Sequence, residues 1–412
     1  MISSEALFET NHAAASPEPV LKILHVIASV NPRGGGPIEG ISQMAEAYRS
    51  SGNTVEICSL DNPTDEWVRQ CPITCHAMGP SFIGNYRYAP RAFEWLRANR
   101  RNYDLIVVNG IWQYHGFAVW RALHGTDTPY VVFTHGMLDP WFKRTYPVKH
   151  LKKWLFWPWA DYRMLRDARA VCFTCEEERR LAAESFWLYR AKGVVVPYGT
   201  NPPPAAAASQ RAAFLAQHPQ LATTRNILFL GRVQEKKGAD LVIQAFARLL
   251  SRQPEALRDV RLVMAGPHDH AYGEELKALS ASLGLQDRVV WTGMVRGDLK
   301  WGAFRSAEAF VLASHQENFG IAVAEALACG VPVLISRQVN IWREIEQAGA
   351  GLVDDDTVDG AERLLQRWLD MSGGQRAAMA AAAEPLFRER FLIGQTAETI
   401  RRMAHTFKGV SA

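Results

Sequence analysis

The chain has 412 residues, with 46 Lys and Arg against 42 Asp and Glu, a formal net charge of +4. Hydrophobic residues at 48% and charged residues at 21% exclude a disordered or fibrous chain, and so mild a basicity excludes the charge footprint of a nucleic-acid binder. At roughly 150 residues per domain, two or three domains are expected, each large enough to bury its own core.

Residues 1–20 read as a polar leader without the apolar stretch of a secretion signal. No run approaches 18 apolar residues, so no membrane span is expected. Lys22 to Val30 reads as a buried strand and Asn31 to Gly36 as a glycine-rich turn. The next helix has Pro37 in its first turn, Ile38, Ile41, Ala45 and Tyr48 on one face, and Gly52 at its end. β-Branched runs recur at Thr54 to Leu60, Asp104 to Asn109, Tyr130 to Thr134, Ala170 to Thr174 and Gly193 to Val196, mostly separated by helical stretches. Strands alternating with helices imply a parallel sheet covered on both faces.

Residues 201–224, with four prolines and an alanine run, read as a linker carrying one short helix. A second alternation follows, with strands at Asn226 to Leu230, Arg261 to Ala265, Arg288 to Thr292, Ala309 to Ala313 and Val331 to Ile335. The expected fold is α/β, with two doubly wound, Rossmann-like domains at 21–200 and 225–390 whose strand ends face across a cleft. In the last segment, 391–412, Ala397, Ile400, Met403 and Phe407 fall on one helical face that needs a surface to cover. Of six cysteines, Cys172 and Cys175 have C-x-x-C spacing, but they lie in an apolar run with no second C-x-x-C pair and read as buried thiols of a reducing compartment.

The turn Gly34-Gly35-Gly36-Pro37-Ile38-Glu39-Gly40 follows a strand and opens a helix, yet no register gives G-x-G-x-x-G, so a dinucleotide fingerprint is absent. Gly231 to Gly238 lacks the G-K-[ST] ending of a phosphate-cradling P-loop. The glycine turn still permits close backbone approach by a diphosphate or a sugar at a helix N-terminus. In the second half, Arg232 and Lys237 stand at a sheet edge, a planar fork and a point charge suited to a diphosphate. Ser314 to Gly320 leads into a helix, with Glu317 before it and Glu325 inside it; two acids could each accept hydroxyls of a polyol, while backbone N–H groups near Phe319 to Ile321 could meet a phosphate. The His268-Asp269-His270 run offers adjacent side chains that rarely converge on one ion, so no metal is expected.

Gly231 to Gly238 and Glu317 to Glu325 resemble the G-R-x-x-x-x-K-G and E-x7-E motifs of the family 4 glycosyltransferases, a retaining, metal-independent group with the two-domain GT-B fold. The glycine turn and His135-Gly136-Met137-Leu138-Asp139-Pro140-Trp141 resemble N-terminal features of bacterial members that build surface polysaccharides. The resemblance spans roughly residues 22 to 408 and implies that the C-terminal helix crosses back onto the first domain.

Carried over, it assigns Arg232 and Lys237 to the diphosphate of a UDP- or GDP-linked sugar donor, Glu317 with the backbone of Asn318, Phe319, Gly320 and Ile321 to the transferred sugar, and Glu325 to the nucleotide ribose. Gly35 and Gly36 would border the donor phosphates and His135 would lie near the reacting sugar; no cofactor beyond the donor is implied. It implies transfer to a glycan or polyprenyl-linked oligosaccharide with retention of configuration. A nucleotide-sugar epimerase of the same fold, or a non-catalytic nucleotide- or glycan-binding protein, stays open as the alternative. The pattern departs at Asn109-Gly110-Ile111-Trp112, where related members often carry a histidine first, and at Pro197-Tyr198-Gly199, where Pro-Asn-Gly is common.

From Trp141 to Arg169 eight Lys and Arg oppose two Asp, a local +6, so the rest of the chain is slightly acidic. The same stretch holds Trp141, Phe142, Tyr146, Trp154, Phe156, Trp157, Trp159 and Tyr162. Such a segment suits either an interface with anionic lipid or an amphipathic helix packed on its domain with a solvated basic edge, and Trp112, Trp141, Lys149, Lys152 and Lys153 are the candidates for the acceptor or membrane side. The expected setting is cytoplasmic, with peripheral attachment to the inner face of the cytoplasmic membrane left open.

Overall fold

The computed structural model describes residues 19–409, so nearly all of the polar leader read at 1–20 lies outside the described residues. The chain forms two compact units. One runs to Gly199 and takes in the chain again from Ile393; the other is Thr200–Leu392.

The first unit is built on β1 (Lys22–Ile27), β2 (Thr54–Ser59), β3 (Cys75–Ala77), β4 (Leu105–Asn109), β5 (Tyr130–Phe133), β6 (Ala170–Phe173) and β7 (Gly193–Val195). They pair in parallel in the order β3-β2-β1-β4-β5-β6-β7. The second unit holds β8 (Arg225–Leu230), β9 (Val260–Ala265), β10 (Val289–Gly293), β11 (Ala309–Leu312), β12 (Val333–Ser336) and β13 (Gly351–Asp354), in the order β10-β9-β8-β11-β12-β13 and again parallel. Central strands are continuous apolar runs, such as Leu105-Ile106-Val107-Val108, all fully buried, because helices cover both faces. In each sheet the order reverses at one place, between β1 and β4 and between β8 and β11. Loops leaving two such strands diverge and leave a crevice at their carboxyl ends.

The stretch read as a linker is a packed part of the second unit. Its helix, Ala207–Gln217, buries Gln210 and Phe214, and Gln210 bonds Asp298 and Arg305 at 3.0 Å each. A Cβ at Gly302 would lie 2.2 Å from the Gln210 carbonyl oxygen, so the helix Asp298–Arg305 approaches closely through that glycine. The alanine run only opens this helix, with Ala207 and Ala208 both exposed, and the close packing comes from Gly302 facing Gln210 and Phe214.

The last helix, Ile393–Gly409, belongs to the first unit and packs on the helix Gly36–Ser50, with Ala397, Ile400, Met403 and Phe407 all buried. Thr396 Oγ1 donates to the Pro197 carbonyl at 2.6 Å and Lys408 pairs with Asp104 at 2.7 Å. Cys172 and Cys175 are buried free thiols, and Cys175 Sγ caps the helix Glu176–Ser185 by accepting from the Glu178 N–H.

A carboxylate fixes the exit of β1. Asp61, fully buried, accepts from Ser29 Oγ at 2.6 Å and the Val30 N–H at 2.7 Å, and pairs with Arg87 at 2.9 Å. Removing one member of a buried pair leaves the other charge uncompensated. We expect Asp61→Ala to lower unfolding free energy by about 3–5 kcal/mol in urea titrations, and a loss below about 1 kcal/mol, the range of an exposed pair, would contradict this role.

Candidate functional site

In the second unit the loops after β8 and β11 meet at the reversal point. Gly238 makes this approach possible: its φ is 63°, and a Cβ there would stand 2.0 Å from the Ala313 carbonyl oxygen. The His315 N–H donates to the Lys236 carbonyl at 2.8 Å and ties the loops together. Their side chains then meet, with Lys237 Nζ paired to Glu317 Oε2 and both mostly buried. Glu317 is also held through its backbone, its N–H donating to the Gln338 carbonyl at 2.9 Å and its carbonyl accepting from the Asn340 N–H at 3.0 Å.

Burial, with Lys236 and Arg232 nearby, pulls the Lys237 ammonium down to about 7. The Glu317 carboxylate is the counter-charge that favours its protonated form. An incoming dianion could take that place, releasing Glu317 to accept hydroxyls. Arg232 is exposed at the start of the loop and, among the described residues, forms no ion pair.

Gly320, at φ 77°, opens the helix Ile321–Ala328, which no side chain caps. Asn318 and Ile321 are half-buried beside it. The Phe319 ring is buried 5.6 Å from that of Phe391, so its backbone is the part left to face a ligand. Glu325, buried inside this helix, accepts from Lys300 Nζ at 2.7 Å, and Lys300 lies 4.2 Å over Trp301. The structure thus joins Lys237 to Glu317 directly and gives Glu325 a different cation.

In the first unit, His135 and Gly136 follow β5 with φ of 48° and 73°. A left-handed histidine persists only when its surroundings hold it. Glu178, buried in the helix Glu176–Ser185, does so: Oε1 accepts from Thr134 Oγ1 at 2.7 Å and the Gly136 N–H at 2.6 Å. Its Oε2 accepts from the Thr174 N–H and Oγ1 at 2.7 and 2.8 Å.

Asn109 supports the imidazole. Its Oδ1 accepts from His135 Nε2 at 3.3 Å, its Nδ2 donates to His25 Nδ1 at 3.2 Å, and its carbonyl accepts from His115 Nε2 at 3.0 Å. Burial lowers His135 to about 4, and burial with His135 lowers His25 to about 3, so both rings are neutral at pH 7. Gly35, at φ 82°, precedes the helix that begins at Gly36, and a Cβ on Gly34 or Gly35 would meet nothing within 4 Å.

Of the candidates for the acceptor or membrane side, Trp112, Trp141 and Lys153 are half-buried against their own domain. The Trp112 ring packs 5.6 Å from Trp157 and 5.5 Å from Phe186, with its indole N–H on the Met137 carbonyl at 3.1 Å. Lys153 lies 4.4 Å over that ring, turned onto the domain. Trp141 is half-buried with its edge against Phe142 and Tyr146. Lys149 and Lys152 are exposed.

His268 bonds the Gly266 carbonyl at 3.2 Å and His270 caps the helix Ala271–Ser282, so that run serves local structure. Among the described residues no three His, Cys, Asp or Glu converge as ion ligands.

Two family patterns match, one to each half: the 4-like glycosyl transferase domain at residues 35–199 and the glycosyl transferases group 1 domain at residues 211–385. The chain belongs to the family 4 glycosyltransferases. Lys237, Glu317 and Glu325 all fall inside the group 1 match.

Among relatives, a GDP-mannose:cellobiosyl-diphosphopolyprenol alpha-mannosyltransferase of Xanthomonas oryzae is 28% identical over 358 residues, 84% of this chain and 87% of that protein. A D-inositol 3-phosphate glycosyltransferase of Kineococcus radiotolerans is 33% identical over 235 residues, 54% of each. The match to the same enzyme of Acidothermus cellulolyticus spans only 30% of that protein's length and 31% of this chain. Sucrose-phosphate synthase of Thermosynechococcus elongatus superposes with a TM-score of 0.73 at 19% identity, covering 94% of this chain and all of that one. An Anabaena protein solved with UDP and glucose does so with a TM-score of 0.72 at 18% identity and the same coverage. These structures share the GT-B fold, two parallel α/β domains.

Lys237, Glu317 and His135 stand out in the sequence as motif members, whereas Glu178, Lys300, His25 and Asp61 do not. Glu178 stands in the acidic run Glu176-Glu177-Glu178, which looks like an ordinary first helical turn. Asn109 was visible only as a departure from the histidine common at that position.

Proposed function

We propose that the chain transfers a sugar from a nucleoside diphosphate donor to a glycan carried on a polyprenyl diphosphate, with retention of configuration, in surface-polysaccharide synthesis. The observation that carries this reading is the Lys237–Glu317 pair at the β8/β11 reversal, inside the group 1 match. Lys237 and Arg232 neutralise charge growing on the departing diphosphate. Glu317, released from Lys237, accepts hydroxyls of the sugar, and Glu325 does the same for the ribose. The C1–diphosphate bond breaks while the acceptor oxygen bonds C1 on the same face, and the acceptor proton leaves on a phosphate oxygen. Neutral His135 contributes a hydrogen bond and no charge. The polyprenyl-linked acceptor is supported by the name of the Xanthomonas relative, matched over most of both chains.

The test is to incubate the protein with GDP- and UDP-sugars and a polyprenyl diphosphate oligosaccharide, and to read the anomeric coupling of the product by NMR. An α-linked product from an α-linked donor is expected. An inverted product overturns the retaining mechanism, and an epimerised sugar from donor alone overturns transfer itself.

A further inference from the structure

The helix Pro147–Phe156 turns an apolar stripe to solvent. Val148, Leu151 and Leu155, spaced to share one face, are 70%, 67% and 72% exposed. Its inward face is aromatic: His150 stacks on Phe186 at 4.6 Å and Trp154 meets the same ring at 5.2 Å. The helix is thus already anchored, and the stripe is not what holds it.

More exposed apolar side chains adjoin it. Phe156, 57% exposed, lies 6.0 Å from Tyr86, whose loop carries exposed Phe82 and Ile83. Trp187, 82% exposed, lies flat on Trp154 at 5.3 Å. Basic groups flank the stripe, and among the described residues Lys143, Lys149 and Lys152 form no ion pair. No helix among the described residues is long and apolar enough to cross a membrane.

We infer that this face docks on the surface of an anionic bilayer, with Val148, Leu151, Leu155 and Phe156 entering the headgroup boundary and Lys149 and Lys152 meeting lipid phosphates. A contiguous exposed apolar patch marks an interaction surface, and apolar residues rimmed by lysines suit anionic lipid. A second copy of the chain fits less well, because it would bring a second set of lysines, and no added acids, to the same contact. The inference deepens the proposed function, since a polyprenyl-linked acceptor resides in such a bilayer.

The test is sedimentation of the full chain with phosphatidylcholine vesicles, with and without phosphatidylglycerol, in low and high salt. Binding is expected only with phosphatidylglycerol and should weaken as salt rises. Leu151→Glu/Leu155→Glu and Lys149→Glu/Lys152→Glu should each reduce partitioning about tenfold or more, with thermal midpoints unchanged because these side chains are exposed. Lys153→Gln, whose ammonium faces Trp112, should change partitioning by less than about twofold. Wild-type protein that stays in solution at low salt, or binds neutral vesicles equally, overturns the inference. So does a concentration-dependent dimer in sedimentation velocity that the Leu151→Glu/Leu155→Glu variant abolishes. The assay contains neither donor nor acceptor: transfer without vesicle binding overturns the docking face alone, and vesicle binding without transfer overturns the proposed function alone.

Discussion

Lys237→Ala should lower kcat/KM for transfer by about 10²–10³, the loss seen when one preorganised group facing developing charge is removed. Arg232 remains, so a residual rate is expected. Glu317 would lose its counter-charge in this variant, and a thermal midpoint separates lost fold from lost chemistry. A Lys237→Met/Glu317→Leu double variant removes the pair without leaving a buried charge and should stay close to wild-type stability while remaining inactive. A kcat/KM within about threefold of wild type in Lys237→Ala, less than a single preorganised contact is worth, would remove this residue from the donor site.

Glu178→Ala should be the most destabilising change on the His135 side. It leaves donors of Thr134, Gly136 and Thr174 without their carboxylate in a buried place, at about 1–3 kcal/mol for each donor that water cannot reach. The total expected in urea titrations is about 3 kcal/mol or more. Glu178→Gln keeps an acceptor for one set of donors and turns an NH2 group towards the other, so it should lose less. If Glu178→Ala unfolds at the wild-type midpoint, the carboxylate does not hold the left-handed turn at His135.

What the residues disclosed in advance follows from range. Central strands were legible because a strand buried on both faces must be continuously apolar, as Leu105 to Val108 is. Edge strands β3 and β13 were not: β3 has three half-buried residues, Cys-His-Ala, and β13 opens with glycine, so neither carries the β-branched run that marks a strand. Lys237 and Glu317 were legible as motif members, 80 residues apart, but their contact depends on the parallel pairing of β8 with β11.

Glu178, His25 and Asp61 act through contacts between elements far apart in sequence, and none stands out from its neighbours. The basic-aromatic segment was legible as composition only. The packing of Trp154 against Phe186 decides which face of its helix turns outward, and sequence spacing alone allowed either orientation.

The central claim is that the second unit holds a nucleotide sugar at Lys237 and Glu317. Thermal unfolding with a panel of UDP- and GDP-sugars tests it most directly, because a ligand that binds only the native state at 100 times its Kd adds about 2.7 kcal/mol. At least one donor should raise the midpoint of the wild type, and the same donor should leave Lys237→Ala unmoved. An equal rise in both proteins, or no rise with any donor in the wild type, would contradict the account.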